Sequence, residues 1–377
     1  KASDNYPKRY VQSTKMELKK VLKNIKNCPE KIKKINLSEN YDLTEIPEEL
    51  KQCSNLEALD VSFCVNLKKI PDFIYELPNI TSLKITNCSS LVELPEFRKF
   101  KYLKELSFSP KTQKDLINVC ELTRLTKLTI DGPVSNLPSS INFLSNLKEL
   151  HLFATKISNL PESLSDLHSL KKLTISQLLF SETDIPTELD FDKIFSVLNK
   201  QGRLQELNLN YNKTSKIPNS IGSLTSLTKL SFNHNKLENF PVNVFDLEGL
   251  IELDFGANKI ATVPMGIGKL KNLKILRFNS NWKNKLSTNY LFAEIHKLQK
   301  LETIDLSSCQ SEMFISDSIK YLDMLKKLYL GNNKISILPD SIFNLQKLKM
   351  IDLRNNLLSK EQQNQLLSSY PKSKVYV

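Results

Sequence analysis

LQELNLNYN (204–212) is followed at intervals of 23 residues by LTKLSFNHN (227–235), LIELDFGAN (250–258) and LKILRFNSN (273–281). Successive copies of the pattern LxxLxLxxN at one fixed spacing are typical of a solenoid, in which a short unit of structure is stacked along one axis. This stretch therefore predicts the architecture of the chain.

The nine positions of the block have distinct structural roles, and we number them 1 to 9 from the first leucine. Positions 4 and 6 lie two residues apart on a short strand, so both point into the core, while positions 3 and 5 point outward. The asparagine at position 9 can both donate to and accept from backbone groups of neighbouring coils. The following xxLPxxIxxLxxL segment returns the chain and fills the interior.

The same block recurs along almost the whole chain, which predicts about 14 coils. The blocks begin at Ile32, Leu56, Ile80, Leu103, Leu125, Leu147, Leu170, Leu204, Leu227, Leu250, Leu273, Leu301, Leu325 and Leu348. Position 9 is expected to form a structural ladder of Asn40, Asn212, Asn235, Asn258, Asn281, Asn333 and Asn356. We predict that Asn235→Ala costs on the order of 1–3 kcal/mol through unsatisfied turn amides. The ladder fails between Lys111 and Leu178, where we expect less regular turns.

Six cysteines are spread along the chain. Cys64, Cys88 and Cys309 occupy position 9, where a small weak donor can replace asparagine. Cys53 and Cys120 fall on apolar positions of the return segments. This spacing predicts free, structural thiols and not a disulfide framework.

Length alone would suggest two or three domains, but the period predicts one elongated domain. The composition, 40% hydrophobic and 25% charged, is that of a repeat protein, and the absence of any run of 18 apolar residues predicts no membrane span. We expect an N-terminal helical cap over 1–31, the solenoid over 32–357 and a C-terminal cap over 358–377. Two coils, at 178–203 and 282–300, are longer than the rest.

Both ends of the chain carry cap signals. Thr14 and Glu17 have the spacing of a capping box at the start of a lysine-rich amphipathic helix. Ser359 can begin a short helix, and Val375–Val377 a last strand. A membrane-surface or nucleic-acid helix is the alternative for the N-terminal segment.

Each long coil is predicted to contain a helix. The first begins near Asp190 to Asp192, and the second buries a stripe that includes Leu291 and Phe292. Either coil is a longer return segment or, alternatively, a contact loop; the second one carries the single tryptophan, Trp282.

The form LPxxIxxLxxLxxLxLxxN, from Ile32 to about Asn356, resembles the leucine-rich repeat superfamily. It is similar to the class that includes Ras-suppressor-type intracellular proteins and many bacterial proteins, among them secreted proteins of spirochaetes. Segment 56–95 is also similar to repeats of plant intracellular immune receptors. The resemblance implies an α/β solenoid, a horseshoe with a parallel sheet on the concave face and short helical or 3-10 segments on the convex face. It also implies a recognition scaffold without catalysis.

Motifs of catalysis and metal binding are lacking in the sequence. The four histidines have no HExxH spacing, no CxxC or GxSxG occurs, and GIGK at Gly266 to Lys269 does not meet the phosphate-loop pattern. We therefore expect no enzyme activity, no cofactor and no metal.

The concave face is the expected binding surface. Position 3 reads Glu and Lys in alternation over seven coils, from Glu105 to Glu252, which predicts a column of ion pairs. Exposed aromatic and arginine side chains on a sheet face favour protein contacts. The candidate partner-binding residues are Phe63, His151, Phe153, Tyr211, His234, Arg277 and Tyr329.

The net charge of +12 supports an alternative, in which a basic surface binds nucleic acid or an anionic glycan. Acidic residues on the concave columns make that alternative less favoured than a protein partner. A role in an intracellular receptor or signalling scaffold is a further alternative. We expect a monomer.

Sequons at Asn36, Asn87 and the ladder residue Asn212 argue against a eukaryotic secretory route and favour a secreted or cell-surface bacterial protein, with a cytoplasmic protein as the alternative.

Overall fold

The computed structural model describes residues 18–177, 187–283 and 286–377. The chain divides into two compact units, residues 1–155 and 156–377. Each of the 14 predicted blocks contains a short strand, and all the described strand pairs are parallel. The predicted class, an α/β solenoid of parallel strands and short helical return segments, is confirmed.

The first unit contains six strands among its described residues. They are β1 (Lys34–Asn36), β2 (Ala58–Asp60), β3 (Ser82–Ile85), β4 (Glu105–Phe108), β5 (Lys127–Asp131) and β6 (Glu149–Phe153). Consecutive strands pair in register, so that Ile35, Leu59 and Leu83, all at position 4, lie side by side. Equivalent positions of successive coils therefore form columns across the sheet.

The second unit has nine strands in the part that the structure describes. They are β7 (Lys172–Ser176), β8 (Glu206–Asn208), β9 (Lys229–Ser231), β10 (Glu252–Asp254), β11 (Ile275–Arg277), β12 (Thr303–Asp305), β13 (Lys327–Tyr329), β14 (Met350–Asp352) and β15 (Lys374–Tyr376). The first eight begin at position 3 of their blocks. β15 follows the last block and lies one residue before the strand predicted at Val375–Val377.

The interior of each coil is filled by positions 1, 4 and 6. In the β8 coil Leu207 and Leu209 are at most 1% exposed. Three successive coils of the second unit carry phenylalanine at position 6, and the ring of Phe255 lies 5.5 Å from that of Phe232 and 6.0 Å from that of Phe278. This stack of rings is a core feature that the leucine pattern alone does not predict.

Among the described residues, six return segments are 3-10 turns that begin directly after a proline. Asn219–Ser223 follows Pro218, and Val242–Asp246 follows Pro241. Proline suits this place because its φ is already near the helical value and the first amide of a helical turn has no partner within the turn. The turn then directs an apolar residue such as Ile221 into the interior.

Six α-helices occur among the described residues. They are α1 (Leu18–Asn27), α2 (Phe73–Glu76), α3 (Gln113–Val119), α4 (Phe191–Gln201), α5 (Asn289–Glu294) and α6 (Lys360–Ser369). α1 buries Val21 and Ile25 and packs against the 3-10 turn Glu48–Gln52 of the first coil. The predicted capping box at Thr14 and Glu17 lies outside the described residues.

The C-terminal helix and the two helices of the long coils occur where the sequence predicts them. The hydroxyl of Ser359 accepts a hydrogen bond from the Gln362 amide at 3.2 Å, so α6 begins there. The carboxylate of Asp190 accepts from the Lys193 amide at 3.2 Å and caps α4. Both long-coil helices turn their apolar stripes into the core. Trp282, in contrast, is 55% exposed.

Longer strands occur in the coils that have neither asparagine nor cysteine at position 9. β5, β6 and β7 run for five residues, whereas most of the other strands have three. In this part of the first unit the pairing continues through Ile130 with Leu152 and Asp131 with Phe153. In the coils of β5, β6 and β7 the chain therefore stays extended to position 7 before it turns. The less regular turns that the sequence predicts here are turns that begin later in the coil.

All six cysteines are free, as predicted. Cys28 is half-buried and the other five are buried. Burial raises the pKa of the Cys88 and Cys309 thiols to about 12. In native protein at pH 8, roughly one in ten thousand of these two thiols would then be ionised.

We expect a thiol reagent such as Ellman's reagent to label one cysteine rapidly in the native protein at pH 8 and six after denaturation. Cys28→Ser should remove the rapid phase and leave the total in denaturant at five. Rapid labelling of three or more thiols in the native wild type would contradict the burial of the position 9 cysteines.

Candidate functional site

The side chains at positions 3, 5, 7 and 8 of the blocks lie on the side of each sheet that faces away from the core. We call this side the outer sheet face. The predicted binding residues of the second unit, Tyr211, His234, Arg277 and Tyr329, all occupy positions 5 or 8. Those of the first unit are Phe63, His151 and Phe153.

Tyr211 and His234 form a stacked pair at position 8 of neighbouring coils. Their ring centroids are 4.4 Å apart and their planes differ by 22°. His234 is exposed and Tyr211 half-buried. Desolvation lowers the pKa of His234, partly offset by the charge of Asp254, so the ring is neutral near pH 7. The pair therefore presents an uncharged aromatic surface.

Position 8 places its residue in the left-handed backbone region. φ is 62° at Tyr211, 53° at His234 and 61° at Phe63. Residues other than glycine, asparagine and aspartate seldom adopt this conformation, since the Cβ atom is crowded there. The coil turn thus fixes the direction of these three rings at a conformational cost. The leucine pattern does not indicate this left-handed conformation.

Arg277 lies on β11, next to two carboxylates of β10. Its guanidinium forms an ion pair with Glu252. Asp254 is its partner in register, and burial raises the pKa of Asp254, although hydrogen bonds from the Asn233 side chain and the Gly256 amide oppose the shift. The ion pair with Glu252 largely neutralises the charge of Arg277. Arg277 is half-buried, so part of its side chain stays accessible.

Tyr329 lies between two acidic residues in the position 5 column. It pairs in register with Asp305 of β12 and Asp352 of β14. Asp352 forms an ion pair with Arg354, whose guanidinium lies 4.8 Å from the ring centre of Tyr376. Tyr329 is half-buried.

In the first unit, His151 is more buried than the other two candidates. His151 is 9% exposed, and its Nε2 lies 3.2 Å from a carboxylate oxygen of Glu149. Its ring stacks on the half-buried Phe153 with centroids 6.1 Å apart. His151 is therefore buried, in contact with Phe153 and Glu149, and its role in partner binding stays a prediction. Phe63 is half-buried.

The candidates of the second unit lie in two columns, with Tyr211 and His234 at position 8 and Arg277 and Tyr329 at position 5. Tyr211 belongs to the coil of β8 and Tyr329 lies on β13, so five strand spacings of about 4.8 Å separate their coils, which is roughly 24 Å. Of these residues, Tyr211 and His234 are in contact. Arg277 and Tyr329 stand in coils farther along. We call these four residues the aromatic strip.

A role of position 5 acids was missed at the sequence level. The carboxylates of Asp254, Asp305 and Asp352 each accept a hydrogen bond from the amide two residues later, at 2.8, 3.0 and 3.2 Å. This is an Asx turn, which ends the strand and starts the coil turn. The recurrence of Asp or Asn at position 5 was the available signal. These acids are consequently part of the scaffold.

The position 9 asparagines bridge successive coils. The Asn235 side chain donates to the carbonyls of Leu209 and Phe232, both at 2.9 Å. Its oxygen accepts from the amides of Asn212 and Thr214, both at 3.1 Å. The thiol of Cys64 donates to the preceding coil's carbonyl in the same way, here Leu37 at 3.1 Å.

The predicted ion pairs of position 3 form within both units. Lys127 pairs with Glu149 at 3.1 Å in the first. In the second, Glu206 lies 3.3 Å from Lys172 and 2.6 Å from Lys229. Partial burial acts to raise the pKa of Glu206, but these lysines lower it below its ordinary value. The column therefore neutralises its own charge.

The GIGK segment is occupied by a carboxylate. The buried side chain of Glu294 accepts hydrogen bonds from the amides of Gly266 at 2.6 Å and Gly268 at 3.3 Å. Lys297 lies 2.7 Å from the other oxygen of Glu294. The amides that a phosphate would need are therefore used to join this coil to α5.

Among the described residues, no helix has the length and apolar character that crossing a bilayer requires.

Two family models match the second half of the chain. A leucine-rich repeat region model matches residues 190–313, and a second leucine-rich repeat model matches residues 299–358. The matched residues run from the N-cap of α4 to the turn after β14. A comparison with curated protein sequences found no match.

Several solved structures share the fold. A leucine-rich repeat protein of Leptospira interrogans is 24% identical, with 97% of this chain and 100% of that chain covered and a TM-score of 0.58. An internalin of Listeria monocytogenes is 21% identical, with 92% and 87% covered and a TM-score of 0.57. The Toll–Spätzle complex of Drosophila is 20% identical, with 88% and 48% covered and a TM-score of 0.60. At these identities, the TM-scores show a likeness of fold alone.

Proposed function

Because this chain is a leucine-rich repeat protein, we propose that it is a non-catalytic scaffold that binds a partner protein through its outer sheet face. Proteins of this superfamily generally serve as protein-binding scaffolds, and the Toll–Spätzle structure is one complex of this fold. In the second unit the contact residues would be those of the aromatic strip. In the first unit they would be Phe63 and Phe153.

The observation that carries the proposal is the stacked pair of Tyr211 and His234. Both rings lie on a surface where they fill no core, and they are held by each other and by a fixed backbone conformation. A side chain that is already ordered loses less entropy when a partner binds. Tyrosine and arginine are also the residue types that most often dominate binding energy at protein interfaces.

The charge distribution favours a protein partner over a polyanion on this face. At position 3, Lys172 and Lys229 both pair with Glu206. Arg277 is paired with Glu252. The acids at position 5 lie in the same column of the sheet as Arg277 and Tyr329. A neutral aromatic surface with paired charges around it suits a mixed apolar and polar protein surface.

We also propose that the protein is exported by a bacterium and engages a host protein. The ladder residue Asn212 is 5% exposed and forms part of a sequon, so a glycan there could not be accommodated in the folded coil. This supports a route without eukaryotic glycosylation. A cytoplasmic partner is the competing outcome.

The test is affinity capture with the wild-type protein. The affinity of the captured partner is then measured for wild type and for the triple variant Tyr211→Ala/Arg277→Ala/Tyr329→Ala. We expect the triple variant to weaken binding by about tenfold or more, because each substitution removes an anchor of the aromatic strip. Capture from extracellular and from cytosolic host extracts in parallel would identify the compartment of the partner.

The matched control is Tyr290→Ala/Tyr321→Ala/Lys271→Ala, which removes two exposed tyrosines and one positive charge away from the strands. Its affinity should stay within about twofold of wild type. Equal weakening by both variants would refute the outer sheet face as the interface. Binding that is lost with salt, and equally for all proteins, would instead indicate a polyanionic partner.

A further inference from the structure

A basic cavity lies at the start of the last three strands. Its volume is about 860 Å³. Of the ten residues that line it, all within the described part of the chain, six are lysines and none is aspartate or glutamate. The lysines are Lys326, Lys327, Lys347, Lys349, Lys372 and Lys374. No residue of the aromatic strip lines this cavity, so it is a separate feature of the second unit.

The parallel register of the strands concentrates these lysines. Lys327 of β13 pairs with Met350 of β14, and Met350 pairs with Lys374 of β15. Adjacent strands are about 4.8 Å apart, so Lys327 and Lys374 leave the sheet roughly 10 Å from each other. Lys326 directly precedes β13, and Lys349 directly precedes β14. The positive charge is therefore compact and not spread along the chain.

These lysines have few carboxylates to neutralise them. Lys326 forms an ion pair with Glu302 at 2.7 Å, and the ammonium of Lys347 lies 3.0 Å from the sulfur of Met324. The other four have no ion pair with any residue that the structure describes. Lys327 stands at position 3 of its block, as Lys229 does, but Lys229 lies 2.6 Å from Glu206.

We propose that this cavity binds a compact oxyanion with several negative charges, such as a small molecule with clustered phosphate or sulfate groups. Lysine ammonium groups bind such anions as mobile point charges. Repulsion among the four unpaired lysines is relieved when the anion enters. The cavity also lies within the size range of small-molecule sites.

The lining residues favour a compact anion over a nucleic acid. Sites for single-stranded nucleic acid combine positive charge with aromatic side chains on which bases stack. The ten lining residues, all of them described, include no aromatic side chain and no arginine. Their apolar surface comes from Leu348, Met350 and the lysine stems, which offer no stacking platform.

Tripolyphosphate is the probe for the test, with binding measured by calorimetry in about 50 mM salt, where electrostatic binding is strong. We expect wild type to bind tripolyphosphate at least tenfold more tightly than inorganic phosphate. Lys327→Glu/Lys349→Glu/Lys374→Glu should weaken tripolyphosphate binding at least tenfold. The matched control, Lys104→Glu/Lys148→Glu/Lys274→Glu, changes exposed lysines at position 2 of other coils by the same charge and should stay within twofold of wild type.

A glutamine triple variant at the same three cavity positions guards against misfolding of the glutamate variant. It should also lose binding at least fivefold while its thermal unfolding stays unchanged. Absence of tripolyphosphate binding to wild type would overturn the proposal, as would equal weakening in the matched control. Tight binding of a heparin oligosaccharide or a short RNA without binding of tripolyphosphate would also overturn it, in favour of an extended polyanion.

Discussion

Phe255→Ala is expected to lower the free energy of unfolding by about 3–5 kcal/mol, the range typical of a buried phenylalanine. Phe255 is fully buried. Its ring packs between those of Phe232 and Phe278 and lies 5.0 Å from that of Phe240. The stacked coils hold these neighbours in place, so they cannot collapse far into the space that the ring leaves, and the cost of the cavity adds to the lost burial.

The measurement is urea denaturation followed by circular dichroism, with hydrogen exchange to show which strands open. We expect the β9, β10 and β11 amides to lose protection most strongly, since their coils contact the ring. Phe143→Ala is the matched control because that phenylalanine is 60% exposed, and its effect should stay within about 0.5 kcal/mol. A loss at Phe255 below about 1 kcal/mol would contradict a packing role for the phenylalanine stack.

The strands and their register could be predicted because each coil repeats a local rule. Position 4 must point inward in every coil, so the spacing of the leucines is enough to place Leu207 and Leu230 side by side. The long-coil helices followed from equally local signals, such as Asp190 as a helix cap. The division into two units lies at 155/156, within a stretch where the ladder is absent, and no periodic signal marks it.

The outer sheet face was predictable only in part. The position of a residue on that face follows from the period, but its exposure depends on neighbours in other coils. His151 is buried, in contact with Phe153 and Glu149, and the position number alone does not reveal this. The left-handed backbone at Tyr211 is another example, since tyrosine seldom adopts it. The lysine cavity likewise depends on three strands and a turn meeting in space.

Asn235→Ala is expected to lower the free energy of unfolding by about 2–3 kcal/mol, the upper part of the range predicted from the sequence. The carbonyls that Asn235 contacts keep other donors: Leu209 still receives a hydrogen bond from Asn212, and Phe232 still receives one from Asn258. The amides of Asn212 and Thr214, however, lose the oxygen that accepts from them. Two unsatisfied amides, one of them fully buried, therefore account for most of the expected cost.

Asn40→Ala tests whether the ladder acts through contacts between coils. Asn40 stands in the first coil, is half-buried, and among the described residues its side chain makes one hydrogen bond, to the Leu37 carbonyl. Its removal should cost less than about 1 kcal/mol, since no described amide of another coil depends on it. Urea midpoints of the two variants measured side by side decide the matter. If Asn40→Ala destabilised the protein as much as Asn235→Ala, the cost would come from the local turn and not from the amides of the neighbouring coil.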